Sequence, residues 1–422
     1  MKTQNKIKEF LNIIKERGFV HQTTDLNNLE KSYKKIIGYT GFDCTSNTLH
    51  VGSLLQLMLL RWLQKTDNKP IILIGGGTTK IGDPSGKDAT RKILSSEEIK
   101  INSEGIKNVI NKFIDFNDSD NGAKLVNNES WLDNLNYIDF LRNFGKYFSV
   151  NRMLTFDSVK TRLEREQNLS FLEFNYMITQ AYDYYFLNKE FNCNVQFGGS
   201  DQWGNIINGI DLIKKAETKN KNYVHAITSP LITTSNGKKM GKTDKGAIWL
   251  SEKDLSVFDF WQFWRNTMDQ DVIKFLKLFT EIKLSEITKF EKLQGEEINE
   301  AKILLANSIT ELAHGKEKCE KVFNSAKEIM NNKLGNSNLP SVNLKLSNIE
   351  NGIQIYKIFT VDNILCKSNS DARRLIEQGA AKMNGKKILD FNYIVTKEDI
   401  LEKNVIHLSV GKKKHVLIKI IQ

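Results

Sequence analysis

Apolar residues follow two alternating rhythms along the first half of the chain. Short strand-like segments, Tyr33 to Ile37, the continuously apolar Pro70-Ile71-Ile72-Leu73-Ile74, and Cys193 to Phe197, run into glycine-bearing loops. Helical stretches follow them, among them Leu54 to Leu63, apolar nearly all round, and Ile206 to Leu212. A strand buried on both faces reads as an unbroken apolar run, and a helix apolar on every side must also be buried. Repeated strand, glycine loop and helix units predict an α/β fold: a doubly wound, parallel-sheet, Rossmann-like domain with its ligand at the C-terminal ends of the strands. This domain is expected over 1–228, with 94–168 as a connective insertion. From 248 to 332 the period is helical throughout. Phe258, Phe260, Trp261, Phe263 and Trp264 form a dense cluster there, read as core. An Asn-, Gly- and Pro-bearing stretch over 333–350 reads as a linker, and 351–422 as a small α+β domain with a hairpin at Asn384-Gly385.

One helix breaks its own pattern. Between Ser170 and Asp183, Tyr176, Gln180 and Asp183 stand at i, i+4 and i+7, on one face, among Phe174, Met177, Ile178 and Ala181. A solvated stripe would carry Lys and Glu instead. A buried polar group left unpaired costs roughly 1–3 kcal/mol, so this trio is satisfied either by neighbouring backbone and water or by a ligand.

The loops carry the candidate chemistry. Thr48-Leu49-His50-Val51-Gly52-Ser53 joins a strand to a helix N-terminus, where free N–H groups and the positive helix end favour phosphate. Gly75 to Lys87 fails as a Walker loop, because Ile81 stands where glycine is needed and Asp88 follows Lys87. It fails as a dinucleotide fingerprint because Lys80 occupies the third glycine position. These glycines read otherwise as a buried turn. Lys238, Lys239 and Lys242, beside Gly237 and Gly241, form either a mobile loop able to close on phosphate or a solvated turn.

Charge adds a location. The formal net charge is +11, from 61 basic and 50 acidic residues. Residues 351–422 hold 13 basic against 7 acidic, making this tail the expected RNA contact, through Arg373, Arg374, Lys386, Lys387, Lys412, Lys413 and Lys414. The four cysteines, Cys44, Cys193, Cys319 and Cys366, are scattered without metal-ligand spacing. A reducing, cytoplasmic compartment and no tightly bound protein-ligated metal are therefore expected. No run of eighteen apolar residues is present, so neither signal peptide nor membrane contact is expected.

Taken together, Thr48 to Ser53 resembles the HIGH signature, and Lys239-Met240-Gly241-Lys242-Thr243 the KMSKS signature, of class I aminoacyl-tRNA synthetases. Gly41-Phe42-Asp43, Gly82 to Lys87, Gln180 to Asp183 and Gly198 to Asn205 match the bacterial-type tyrosyl-tRNA synthetases in order and spacing, over essentially the full length. The tail resembles the RNA-binding domain that family shares with a small-subunit ribosomal protein. The resemblance implies L-tyrosine, ATP with Mg²⁺ and the tyrosine tRNA as partners, and a homodimer. It implies that Tyr39 and Asp183 hold the tyrosine phenol, that Tyr176, Gln180 and Asp83 hold the ammonium group, and that Gln196 lines the same pocket. Around the adenylate it implies Thr40, Asp43, His50, Gly52, Ser53, Gly199, Asp201, Gln202 and Lys242. Catalysis would fall to His50 and Gly52 at the α-phosphate, with Lys87, Arg91, Lys239, Lys242 and Thr243 on the departing pyrophosphate. Ser53 departs from the histidine or asparagine of many family members and reaches less far.

Three other readings share parts of the pattern. A tryptophanyl enzyme would have the same architecture without the phenol pair, a nucleotidylyltransferase would need no RNA-binding tail, and a silent RNA-binding protein would not need the lysines at 239 and 242.

Overall fold

The strand-like segments become the inner strands of a six-stranded sheet. In chain order its strands are β1 (Gln22–Thr23), β2 (Ile37–Asp43), β3 (Lys69–Gly75), β4 (Lys124–Asn127), β5 (Val195–Gly199) and β6 (His225–Ser229), arranged β1-β6-β5-β2-β3-β4. All pairs are parallel except β1 with β6. This computed structural model describes the chain apart from residues 1, 86–92, 218–222, 236, 238, 239, 241, 244, 245, 294, 296, 331–338, 402, 403, 412, 413 and 422. The side chains of residues 2–5, 157, 242, 243, 246 and 328–330 also lie outside it.

The strand order reverses between β2 and β5, the switch point at which doubly wound sheets bind ligands. The pairing there explains the opening. β2 meets β5 only through Gly38↔Val195 and Tyr39↔Gln196. Beyond that point β2 continues beside β3 to Asp43, and β5 beside β6 to Gly199. The two central strands therefore splay apart at their C-terminal ends, and side chains from Thr40 to Asp43 face a cleft.

Two helices line that cleft, α1 (Val51–Lys65) and α2 (Phe171–Phe191), and α3 (Trp203–Ala216) packs against α2. Val51, Leu54, Leu55, Leu57, Met58, Leu59, Leu60 and Leu63 of α1 are all buried, as its pattern predicts. Burying each such aliphatic side chain is worth roughly 1.5–3 kcal/mol. α2 starts in a capping box, with Ser170 and Glu173 each accepting the other's backbone N–H. Arg162 stands 3.5 Å from Glu173, both nearly fully buried. α2 ends at Asn192 in the left-handed conformation (φ 53°).

Three sequence expectations are corrected. Residues 94–168 are not wholly an insertion, since Lys124–Asn127 forms edge strand β4, paired in parallel with β3. The helical stretch 248–332 is not one body either. The chain divides into two compact units, Met1–Asp254 with Thr267–Ala301, and Leu255–Asn266 with Lys302–Gln422. Within the first unit, buried Arg17 donates to the carbonyls of Lys277 (2.9 Å), Thr280 (3.0 Å) and Ile282 (2.6 Å). Arg61 pairs with Glu281 at 2.5 Å. These bonds close the end of the helix Asp269–Phe279 and bind it to the first unit. Thirdly, 333–350 is not all linker. Ser341–Lys345 is a strand running parallel to Lys414–Ile421, and Leu346–Glu350 is a helix.

In the second unit, Phe258, Phe260, Trp261 and Trp264 are buried, and Trp261 donates its indole N–H to Asn307 Oδ1 at 2.7 Å. This is core, as expected. Its five-stranded sheet includes Ala381–Met383 and Lys386–Lys387, paired as Met383↔Lys386 across the Asn384-Gly385 turn, where both φ angles are positive.

Candidate active site

The cleft at the switch point has a volume of about 550 Å³, ample for a small-molecule site, and belongs entirely to the first unit. Tyr176, Gln180 and Asp183 of α2 all line it, so the odd polar face of that helix is turned into the cavity. Five polar atoms of cavity-lining residues are buried without a hydrogen-bond partner: Tyr39 Oη, Thr40 Oγ1, Gln56 Oε1, Ser85 Oγ and Gln196 Oε1. Leaving such a group unpaired costs roughly 1–3 kcal/mol, a cost that a polar guest removes.

At the floor, Asp183 is 1% exposed. Its Oδ1 accepts from Trp131 Nε1 at 2.8 Å and its Oδ2 from Asn128 Nδ2 at 2.9 Å. Burial pushes the carboxyl up to about 7, opposed by those two donors. Tyr39, fully buried beside it, has its phenol raised well above the usual value by burial and then by the Asp183 charge, so it stays a neutral donor. A hydroxyl that gives and a carboxylate that takes thus stand together. The carboxylate also keeps a fixed orientation, because each oxygen is already held.

Neither Asn128 nor Trp131 emerges from the sequence pattern. Asn128 follows edge strand β4 directly, and Trp131 lies on the short helix Glu129–Leu132. Asn128 Oδ1 also accepts the Gly77 N–H at 2.8 Å, and Asn127 Oδ1 that of Gly76 at 3.2 Å. The glycine-rich segment after β3 is a buried single turn of helix, Gly76–Thr79, whose first N–H groups donate to asparagines. Gly75 is required there, because a Cβ would lie 2.2 Å from Asp43 Oδ1 and 2.5 Å from Thr78 Oγ1.

Above the floor lies a polar network. Asp43 accepts from Thr78 Oγ1 (2.7 Å) and from the Tyr176 hydroxyl (2.9 Å). Asp83 accepts from Ser85 N (2.9 Å) and Gln202 Nε2 (2.9 Å). Asn205, the last residue of the Gly198 to Asn205 segment, donates to both Gln180 Oε1 (2.9 Å) and Gln202 Oε1 (3.2 Å). Four carboxylates among the described residues, Asp43, Asp83, Asp183 and Asp201, thus line one cavity, a field that favours an ammonium group. Burial, followed by the charges of Asp43 and Asp83, raises the Tyr176 phenol well above its usual value.

The opposite wall carries the α1 terminus. His50 and Ser53 line the cavity with Gly199, Asp201 and Gln202. His50 is the N-cap of α1, its Nδ1 accepting the Gly52 N–H at 2.9 Å. A Cβ at Gly52 would lie 2.4 Å from His50 Cε1, so glycine here makes room for the imidazole. Met240, Ala247 and Trp249, from the two arms of the signature loop, close the rim. Lys242–Thr243 pairs with Gly246–Ala247. Lys87, Arg91 and Lys239, and the side chains of Lys242 and Thr243, lie outside the described residues.

Of the expected RNA contacts, all in the second unit, Lys386 and Lys387 are exposed. Arg374 pairs with Asp371 at 2.7 Å, and Lys414 donates to Leu365 O at 3.0 Å. Arg373 lies 4.1 Å from the Tyr356 ring centre and 5.3 Å from that of Phe391. Lys412 and Lys413 lie outside the described residues.

A doubly wound sheet whose cleft joins a capped His-x-Gly helix start to a buried carboxylate pocket is the catalytic fold of a class I aminoacyl-tRNA synthetase. Residues 31–331 match the family model for class I tRNA synthetases (W and Y), and 332–418 that for the SYY-like C-terminal domain of tyrosine–tRNA ligases. A tyrosine–tRNA ligase from Rickettsia massiliae is 50% identical over 416 residues, covering 98% of this chain and 99% of its own. One from Beijerinckia indica is 51% identical over 415 residues, covering 98% and 97%. Among solved structures, a C-terminally truncated mitochondrial tyrosyl-tRNA synthetase from Aspergillus nidulans superposes with a TM-score of 0.69 at 30% identity, over 78% of this chain and 97% of that one. The chain belongs to the tyrosine–tRNA ligase family. Its activity is that of a ligase that charges tRNA with tyrosine.

Proposed function

We propose that the cleft performs both steps of tyrosine charging with its residues in the following roles. The tyrosine phenol donates to Asp183 and accepts from Tyr39, while its ammonium group sits among Tyr176, Gln180 and Asp83, with Gln196 on the cavity wall. The tyrosine carboxylate attacks the α-phosphorus of ATP in line, and pyrophosphate leaves. The first step needs only positioning and charge. His50 and the first turn of α1 serve the α-phosphate, and Thr40, Asp43, Ser53, Gly199, Asp201 and Gln202 serve the adenosine side. Lys87, Arg91, Lys239, Lys242 and Thr243 take the pyrophosphate. ATP enters as its Mg²⁺ complex, the metal arriving with the phosphates; among the described residues no group of three or more His, Cys, Asp or Glu could hold an ion. In the second step the ribose of the terminal tRNA adenosine attacks the mixed anhydride and AMP leaves.

The observation that carries this reading is the floor pair: an unpartnered Tyr39 hydroxyl beside a carboxylate fixed from behind. Phenylalanine there would leave the Tyr39 hydroxyl unpaired and would deny Asp183 the phenol's hydrogen bond. Sites of this kind reject the analogue by roughly 10⁴–10⁵, a magnitude for which a tyrosyl-tRNA synthetase is itself the standard example rather than a value obtained from this geometry. Amino-acid-dependent ATP–pyrophosphate exchange tests it. Tyrosine alone should support exchange, and Asp183→Ala should raise tyrosine KM steeply and narrow the preference over phenylalanine. Unchanged preference would refute the assignment.

The tyrosine tRNA is the RNA partner in this reading, with Arg373, Arg374, Lys386, Lys387 and the lysines at 412–414 as candidate contacts. A homodimer belongs to it too, supported by a run of exposed apolar side chains between 137 and 172, of which Ile138 is 66% and Phe171 69% exposed. Sedimentation of an Ile138→Lys, Phe171→Lys chain should show monomers, and an unchanged dimer would move the interface elsewhere. Four buried free cysteines, and no described helix long and apolar enough to cross a membrane, support a cytoplasmic location.

A further inference from the structure

His50 and Trp249 are the two members of an isolated antiparallel bridge. The Val51 N–H donates to Ile248 O at 2.9 Å and the Leu250 N–H to Leu49 O at 2.8 Å, so the bonds flank the pair instead of joining it. That is the narrow kind of cross-strand pair, with Cα atoms about 4.5 Å apart and side chains on one face. The imidazole and indole centres lie 6.2 Å apart with planes at 55°, and both residues line the cleft.

The other edge of the imidazole is fixed as well. Its Nδ1 accepts the Gly52 N–H at 2.9 Å, and a nitrogen that accepts carries no proton. The neutral ring therefore keeps its proton on Nε2 and is a donor there. Turning the ring would break the cap and leave the Gly52 N–H unpaired. The indole stands beside that ring in the cavity wall, where it limits the turn. Trp249 also follows the loop that carries Lys239 and Lys242, and the backbone bonds at Ile248 and Leu250 tie that loop's returning arm to the start of α1.

We propose that Trp249 is a positioning residue for His50, holding the imidazole in its capped orientation as an Nε2–H donor to the nucleotide during tyrosine activation. It rests on the reading that His50 serves the α-phosphate. Steady-state ATP–pyrophosphate exchange by the full chain tests it, with Trp249→Leu, Trp249→Phe, His50→Ala and the Trp249→Leu/His50→Ala double variant. Because a small misplacement of a catalytic group is costly, Trp249→Leu should lower kcat about tenfold. Tyrosine KM should stay unchanged, and Trp249→Phe, which keeps an aromatic ring, should recover most of the rate. Added to His50→Ala, the Trp249→Leu change should cost nothing more, because residues acting as one unit are not additive. An equal loss in both backgrounds would overturn the proposal, as would a higher tyrosine KM at unchanged kcat. Full exchange by His50→Ala would instead refute the role of His50 itself, and the proposal with it. Should Trp249→Leu fail to fold, Trp249→Met and Trp249→Gln, which also lack a ring, complete the same cycle.

Discussion

Trp131 donates its indole N–H to Asp183 Oδ1 at 2.8 Å across 52 positions of sequence, at the floor of the cleft. With Asn128 on the other oxygen, it leaves the carboxylate a single orientation. A charge-assisted hydrogen bond of this kind is worth roughly 1.5–3 kcal/mol, about 10- to 100-fold in an equilibrium. Trp131→Phe and Asn128→Ala should each raise tyrosine KM in exchange assays by about that factor while leaving ATP KM unchanged. A shift in ATP KM alone would place these residues in some other role.

The Asp183 carboxyl lies at about 7 because burial favours its neutral form. The ionised carboxylate accepts from a phenol more strongly than its protonated form does, so tyrosine affinity should fall as the pH drops below 7. Asp183→Asn should remove that dependence, checked by tyrosine titrations between pH 6 and 8. The stability consequence runs the other way. The folded value is above the ordinary 3.8, so the folded state holds the extra proton and loses that stability as pH rises from about 4 through 7. Calorimetry of the free protein should therefore show the Tm difference between Asp183→Asn and the parent moving in the variant's favour from pH 5 to pH 8, because the variant has no proton to lose.

Two buried histidines reverse the sign. Burial lowers His225 to about 4, and burial with His415 nearby lowers His407 to about 4. The unfolded chain binds these protons near 6.5, so the contribution of each is complete above that value and is lost as pH falls from 6.5 towards 4. His407 Nε2 lies 3.1 Å from His415 Nδ1, a contact that can share one proton but not hold two. Thermal melts of His407→Gln between pH 4 and 7 should show a shallower fall in Tm than the parent, and an identical slope would rule out this histidine as an acid-sensitive point.

Helix periodicity made Tyr176, Gln180 and Asp183 legible, because one stretch of backbone brings them to one face. Strand runs and glycine endings likewise disclosed β2, β3 and β5. Asn128, Trp131 and Trp249 left no such trace. Each meets its partner across a sheet edge or between separate elements, as Asn128 meets Asp183 55 positions away, and such a bond imposes no period on either segment. The turn after β3 shows the same limit. The sequence could only exclude Gly76 and Gly77 from the two phosphate-loop motifs, and two asparagines at the end of β4 supply what it could not show, the acceptors of their N–H groups. Ser341–Lys345 was hidden for a related reason, since its partner strand Lys414–Ile421 lies some seventy residues later.

That strand decides where the basic C-terminal tail can be removed. A cut at 350 would leave Ser341–Lys345 without Lys414–Ile421 and expose the buried Val342 and Leu344. A chain ending at Met330 removes the whole sheet instead, and the Aspergillus nidulans neighbour is itself a C-terminally truncated chain. All the described residues lining the cleft lie between Tyr39 and Trp249, so tyrosine-dependent exchange should survive with its kcat within about twofold, since distant sites act independently. Charging should instead lose affinity for tRNA, most strongly as salt rises, because basic contacts to phosphate supply binding that falls steeply with ionic strength. Initial rates of charging over a tRNA series at two salt concentrations check this. Equal loss of exchange and charging would mean that residues beyond 330 hold the catalytic unit together, and equal survival of both would leave the basic tail without a part in tRNA recognition.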